Sequence, residues 1–287
     1  MKKSHTLALV MMTGLVSTLS AQLLDYDFNQ TGTNVTNAGS LSSPYNLTLR
    51  AQNGSAQDLH GADGSGVSGL AGDRAVDFGS IAVSMGGAGG LGNFISETNS
   101  DLSPLSAMTV TGWYRVADGT DLDGGQIIRN NGGNGGWSIS FVSAERMQFA
   151  FGTGTETLNL RTSTGIYNSN GGDWVFFAVS WDGSDLLFYQ SDISTSITAP
   201  ASTVALSATM AEDTQSFSLG RSNSTSGAFD GLLDNIQVYD SALNQTAIEA
   251  IRVGAIPESS STTLLITLGV IIVAPILLRK RTKKLHN

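Results

Sequence analysis

Between Gln22 and Ala255 the apolar residues come in short runs, each ended within a few positions by Gly, Asn, Asp or Ser. Examples are Leu23–Phe28, Arg74–Phe78, Met108–Val116, Trp137–Val142, Met147–Phe151, Trp174–Trp181, Leu186–Tyr189, Phe217–Leu219 and Leu232–Tyr239. Runs of this kind, spaced by turn chemistry, predict an antiparallel sandwich or barrel. In Met108–Tyr114 the period is two, which puts Met108, Val110, Gly112 and Tyr114 on one face and Trp113 on the other. Val175-Phe176-Phe177-Ala178-Val179 is apolar on both faces, the pattern of a central strand covered on both sides. The 34 glycines do not make the chain collagen-like or disordered, because 40% of the residues are hydrophobic.

One helix is predicted, over Gln245–Arg252. Asn244 can cap it, Leu243 and Ile248 hold the two positions of a hydrophobic staple, and Gly254 followed by Pro257 ends it.

The formal charge of −9 conceals an uneven distribution. Residues 22–256 contain 23 acids against 8 basic residues, all arginine, so this body carries −15. Such a balance argues against a nucleic-acid partner, since phosphate binding needs a basic face. It also repels anionic polymers unless divalent cations bridge the contact. The absence of cysteine excludes a disulfide scaffold, a Cys-ligated zinc and a thiol nucleophile.

The two ends read as targeting segments. Lys2 and Lys3, an apolar stretch from Leu7 to Leu19, and Ser20-Ala21 compose a secretory signal peptide over residues 1–21. Residues 262–278 are uncharged and apolar; at 1.5 Å per residue they reach roughly 26 Å, close to the thickness of a bilayer core, and predict a transmembrane helix. Arg279, Lys280, Arg281, Lys283 and Lys284 follow at once. Positive charge stays cytoplasmic, which places the body on the far side of the inner membrane.

Ile256-Pro257-Glu258-Ser259, the apolar segment and the basic tail together resemble the PEP-CTERM sorting signal of Gram-negative bacteria, over about the last thirty residues. Ser259 stands where that family's motif has its second proline. The resemblance implies Pro257 and Glu258 as the sorting motif, an exosortase-type processing enzyme as partner, and a destination at the cell surface or in the extracellular matrix. The division expected is a signal peptide (1–21), one β domain (22–255) and a sorting signal (256–287) with its basic tail at 279–287.

Within the body, Gly72–Phe78, Met108–Tyr114, Asp173–Gly183 and Phe217–Arg221 followed by Phe229–Tyr239 and Ala242-Leu243 are similar, in order and spacing, to the LamG-like, concanavalin A-type jelly-roll family. The resemblance covers residues 23–252 and implies an all-β, antiparallel jelly-roll sandwich. Its one departure is Asp118–Gly136, read as a long irregular loop.

Candidate chemistry is sparse. Glycosidic hydrolysis needs two carboxylates flanking the bond, but no Glu-x-Asp-x-x-Glu strand of the glucanase kind occurs, and Glu97, Glu145, Glu156, Glu212 and Glu249 are isolated. His60 is the body's one histidine, and Asp58–Gly61 reads as loop. Asp118, Asp121 and Asp123 fail the spacing of an EF-hand and read as a solvated turn. Asp234 shares the parity of Leu232, Ile236 and Val238 and is expected to point inward. A buried carboxylate must be hydrogen-bonded or bind a cation, so Asp234 is expected either to accept from loop amides or to ligate a structural calcium. Trp137, after the glycine-rich stretch, and Trp113 are the candidate sugar contacts; Trp174 and Trp181 read as core. The reading is an exported, non-catalytic protein that binds glycan, exopolysaccharide or another surface polymer. A matrix protein without defined ligand and a polysaccharide hydrolase are the alternatives.

Overall fold

The computed structural model describes residues 21–257 apart from 42–44, 51–54, 79–93, 99–100, 117–124, 132, 143–145, 164–171, 214–215 and 221–228. Residues 1–20 of the signal peptide, Glu258, the apolar segment 262–278 and the tail 279–287 therefore lie outside the described residues, as do Asp118, Asp121 and Asp123. Among the described residues no helix is long and apolar enough to cross a membrane.

Two antiparallel sheets pack face to face. The first has seven strands: β1 (Gln22–Tyr26), β15 (Leu232–Tyr239), β6 (Met108–Arg115), β11 (Val175–Trp181), β12 (Asp185–Asp192) and β13 (Ser202–Ala205) in that spatial order, with β4 (Val76–Asp77) beside β15. The second has eight: β10 (Thr157–Arg161), β9 (Arg146–Gly152), β8 (Trp137–Val142), β7 (Gln126–Asn130), β14 (Ser216–Leu219), β5 (Phe94–Thr98), β3 (Leu47–Thr48) and β2 (Asn34–Val35). Neighbours such as β1 and β15 lie far apart in sequence, so the sandwich closes through long-range pairing. The all-β antiparallel sandwich expected from the sequence is what forms.

The β6 alternation is realised. Met108, Val110 and Tyr114 face the core between the sheets, and Trp113 faces away from it. Gly112 shares their face because the interior leaves no room for a side chain: a Cβ there would lie 2.4 Å from Ile236 Cδ1 and 2.9 Å from Phe177 Cε1. Val175, Phe177, Val179 and Trp181 of β11 fill the same core, while Phe176 and Ala178 enter a second apolar layer on the outer side. That layer is closed by Val67, Ala75, Ile197 and Ile248, so β11 is covered on both sides, as its sequence requires.

Helix α1 spans Gln245–Gly254 and covers this outer face. Asn244 Oδ1 accepts from the Ala247 amide at 3.0 Å, and Leu243 and Ile248 both pack into the second layer. The helix runs two residues beyond the predicted end, stopping where Ala255 donates back to Val253 O. Arg252 docks it by donating to Asp192 O and Ile193 O, while Glu249 accepts from both Arg252 and the Ile197 amide.

One expectation needs correction. Residues 118–136 are not one loop, since β7 lies within them. Its apolar content is only Ile127-Ile128, and a bulge between Gln126 and Ile128 lets both be buried, so the period is broken at the two residues that would have shown it.

Gly112→Ala is expected to destabilise the domain by about 1–3 kcal/mol, the usual cost of overpacking a core. Urea denaturation monitored by tryptophan fluorescence measures this.

Candidate functional site

In β8, Trp137, Ile139 and Phe141 face the core, so Ser138 and Ser140 face outward. Pairing extends this face across neighbouring strands. Gln126, Ser140, Gln148 and Arg161 form one cross-strand row; Ser218, Arg129, Ser138, Ala150 and Asn159 form the next. Small hydroxyl side chains in the middle are thus flanked by long amides and guanidinium groups. Ser138 and Ser140 are buried, Gln126, Arg129 and Gln148 half-buried, and Asn159 and Arg161 exposed.

Arg161 Nε donates to Gln148 Oε1 at 2.8 Å, which orients the amide, and Arg129 Nε donates to Asn131 O at 2.7 Å. Burial pulls the Arg129 pKa below its ordinary value, and Asp213 acts in the opposite direction. Hydroxyls and primary amides both donate and accept, and guanidinium groups donate in a fork. The face can therefore engage a ligand rich in hydroxyl groups. Strands β7, β8, β9, β10 and β14 contribute no Asp or Glu to it.

The two tryptophans expected to contact sugar do not present exposed rings. Trp137 is fully buried, stacked on Phe149 at 6.3 Å with Nε1 donating to Leu102 O at 2.9 Å. A rim contact at Trp137 is therefore set aside: its parity with Ile139 and Phe141 turns it inward. Trp113 is 1% exposed, on the outer layer of the seven-stranded sheet, with its ring edge-on to Phe176 at 5.2 Å. Trp181 packs in the core, donating to Leu206 O, and Trp174 lies under the Arg115 guanidinium at 5.4 Å. The residues that reasoning from sequence missed are Gln126, Ser138, Ser140, Gln148 and Arg161. Their period-two positions opposite the apolar residues were a usable signal.

Asp234 is fully buried but does not point into the main core. Asn235 adopts φ +49°, and the β15–β6 register shifts between Asp234 and Gln237. This bulge breaks the parity with Ile236 and Val238, so Asp234 shares the outer face with its cross-strand partner Trp113. Asp234 Oδ2 accepts from the Val67 amide at 2.8 Å and Oδ1 from the Asn235 amide at 2.7 Å. The first bond pins the loop that covers the second apolar layer. Burial pushes the carboxyl up to about 8 against the pull of these amides, and Asp73 and Asp27 add repulsion.

Both oxygens of Asp234 are thus engaged, and Asp73 is itself taken up by Ser68 N and Oγ. Among the described residues no cluster of three or more His, Asp or Glu could hold a metal ion. A hard cation needs several oxygen ligands, so the surroundings of Asp234 do not fit calcium. His60 Nδ1 lies 2.7 Å from Asp58 Oδ1, but Nε2 is buried without a partner, so the pair presents no base to a substrate.

Asp234→Ala strips both amides of their acceptor and is expected to cost about 2–5 kcal/mol, with Asp234→Asn, which keeps one acceptor, costing less. Thermal melts with and without chelator test both variants, and the chelator should change neither. The sign with pH follows from a folded pKa of about 8 above the ordinary 3.8. The folded state holds this proton more tightly, so the group's contribution to stability is greatest in acid and falls as pH rises through that interval. Wild type should lose this component between pH 4 and pH 8, and Asp234→Ala should not.

Comparison with known proteins agrees with this architecture. Residues 89–249 match the family described as the concanavalin A-like lectin/glucanases superfamily. No curated protein matches the chain. Domain 4 of AbnA, an extracellular arabinanase of Geobacillus stearothermophilus, solved with arabinotriose, is 15% identical with a TM-score of 0.56, over 81% of this chain and 98% of that one. The binding domain of botulinum neurotoxin DC in complex with SialylT is 12% identical with a TM-score of 0.51, over 82% of this chain. The binding domain of Paraclostridial Mosquitocidal Protein 1 is 14% identical with a TM-score of 0.52. The chain spans about half the length of the two toxin domains. At these identities the likeness shows the fold alone, and with more than half of the sequence matched, the chain belongs to the concanavalin A-like lectin/glucanase superfamily.

Proposed function

We propose that this protein is an exported, non-catalytic glycan-binding protein whose ligand lies across the outer face of the eight-stranded sheet. The observation that carries the proposal is the pair of rows in which Gln126, Gln148, Asn159 and Arg161 stay accessible around the buried hydroxyls of Ser138 and Ser140. The relatives solved with arabinotriose and with SialylT support a sugar as the ligand class. A body with 23 acids against 8 arginines favours a neutral pentose or hexose polymer over an acidic one. Calcium would enter as a bridge to anionic polymers rather than as a ligand of Asp234.

A hydrolase on this fold would need a carboxylate pair about 5–9.5 Å apart. The five strands β7–β10 and β14 supply none, which favours binding over catalysis. The full chain passed over immobilised arabinan, neutral β-glucan and a ganglioside glycan, with and without calcium, tests the reading. A neutral polysaccharide should retain wild type, and Gln148→Ala with Arg161→Ala should lower its retention about tenfold at unchanged melting temperature. No retention by any polymer would leave the structural-matrix reading. Release of shortened oligosaccharides would favour the hydrolase.

The route belongs to the same proposal. A signal peptide over 1–21, a transmembrane segment over 262–278 and a PEP-CTERM-type signal at Pro257 and Glu258 would deliver the domain to the cell surface through an exosortase-type enzyme. Strand β1 begins at Gln22, so cleavage after Ala21 leaves it whole. Mass spectrometry of protein secreted by an exosortase-bearing host should find Gln22 at the N-terminus. Changing Pro257 and Glu258 to alanine should leave the chain in the inner membrane.

A further inference from the structure

The seven-stranded sheet holds a second feature that the proposed glycan face does not use. Where the last turn of α1 crosses β15, β6 and β11, a cavity of about 270 Å³ opens. Trp113 and Phe176 line it from the sheet, Asn235, Gln237 and Tyr239 from β15, and Ile251 and Gly254 from the helix. No charged residue lines it.

Two polar groups here lack partners. Trp113 Nε1 is buried and meets no acceptor among the described residues, although the buried indoles of Trp137 and Trp181 donate to backbone carbonyls. A buried N–H without an acceptor is costly enough to be rare. The Asn235 side-chain amide, carried at the bulge in a left-handed conformation, makes no hydrogen bond among the described residues. Gln237, by contrast, is held by Tyr239 and Asp25, so its orientation is set in advance.

We infer that this cavity is a binding site for a single neutral sugar ring, the end of a glycan rather than its interior, separate from the face described above. Size limits the occupant: pockets that enclose larger ligands run about 300–1,000 Å³, so one ring fits and a chain does not. Chemistry limits it too. Aromatic and aliphatic walls suit the C–H face of a ring, and an indole N–H, a free amide and a pre-set amide suit its hydroxyls. The last turn of a helix leaves carbonyls that accept from further hydroxyls. The lack of any Lys or Arg disfavours an acidic sugar. The indole N–H is covered in this structure, so an occupant reaches it only if the turn after Arg252, where the Ala255 and Ile256 amides donate to Val253 O, shifts on binding.

Gly254 provides the test, since a Cβ there meets nothing within 4 Å and no left-handed φ forbids a side chain. Gly254→Leu should fill the cavity without loss of stability. The uniformly ¹⁵N-labelled full chain is titrated with methyl glycosides of arabinose, glucose, galactose, mannose and N-acetylglucosamine, and separately with n-hexanol, while the Trp113 indole resonance is followed. At least one glycoside should shift that resonance saturably in the millimolar range. The shift should vanish in Gly254→Leu at unchanged melting temperature and need three- to tenfold more glycoside in Asn235→Ala. It should persist in the Gln148→Ala, Arg161→Ala variant, which keeps this result distinct from the test of the eight-stranded face. No shift with any glycoside, the same shift in Gly254→Leu, or a response to n-hexanol alone would overturn the assignment.

Discussion

Strand β11 buries all seven of its residues, and it can do so only with apolar matter on both sides of its sheet. The inner side is met by the opposing sheet, where Trp181 lies edge-on to Phe151 at 4.9 Å. The outer side needs a separate cover, because a sheet face carrying Trp113, Phe176 and Tyr189 would otherwise stand in water. At about 1.5–3 kcal/mol for each large side chain removed from solvent, leaving these exposed would cancel much of a domain's net stability. Helix α1 and the loop from Gly61 to Ala75 are that cover. The Asn244 cap, the Arg252–Glu249 pair and the Asp234–Val67 bond hold it in place.

This asymmetry divides the domain's two outer faces. The seven-stranded sheet is closed over by protein, so its polar groups are few, specific and mostly bonded. The outer face of β7–β10 carries Ser, Gln, Asn and Arg at alternate positions and needs no apolar cover. The cavity beneath α1 arises where the cover is thinnest, at a glycine in the last helical turn beside a bulge in β15. A bulge that turns Asp234 toward the loop also frees the Asn235 amide, so one backbone irregularity serves both the anchor and the cavity.

Much of this was legible before any coordinates. The bounds of β8 and β15, the parity of β6, the two-sided burial of β11 and the cap and staple of α1 all follow from local pattern and spacing. The edge strands β2, β10 and β13, and the two-residue β3 beside β2, did not announce themselves, since such short strands carry little apolar periodicity. Strand β7 and the face that Asp234 shares were misread for one reason, although the expected anchoring of Asp234 by loop amides is what forms. A β-bulge inserts a residue, and parity counted across it assigns the wrong face.

The sequence by itself determined the class of fold, the acidic and lysine-free body, and which residues alternate, because these depend only on composition and on a two-residue period. Only the tertiary structure decided which alternate face is covered by a helix and a loop and which is not. That choice depends on where a distant helix and loop come to rest. It covered Trp113, while period-two parity turned Trp137 inward, and the candidate chemistry passed from exposed aromatic rings to rows of hydroxyls and amides on the successive strands β7–β10.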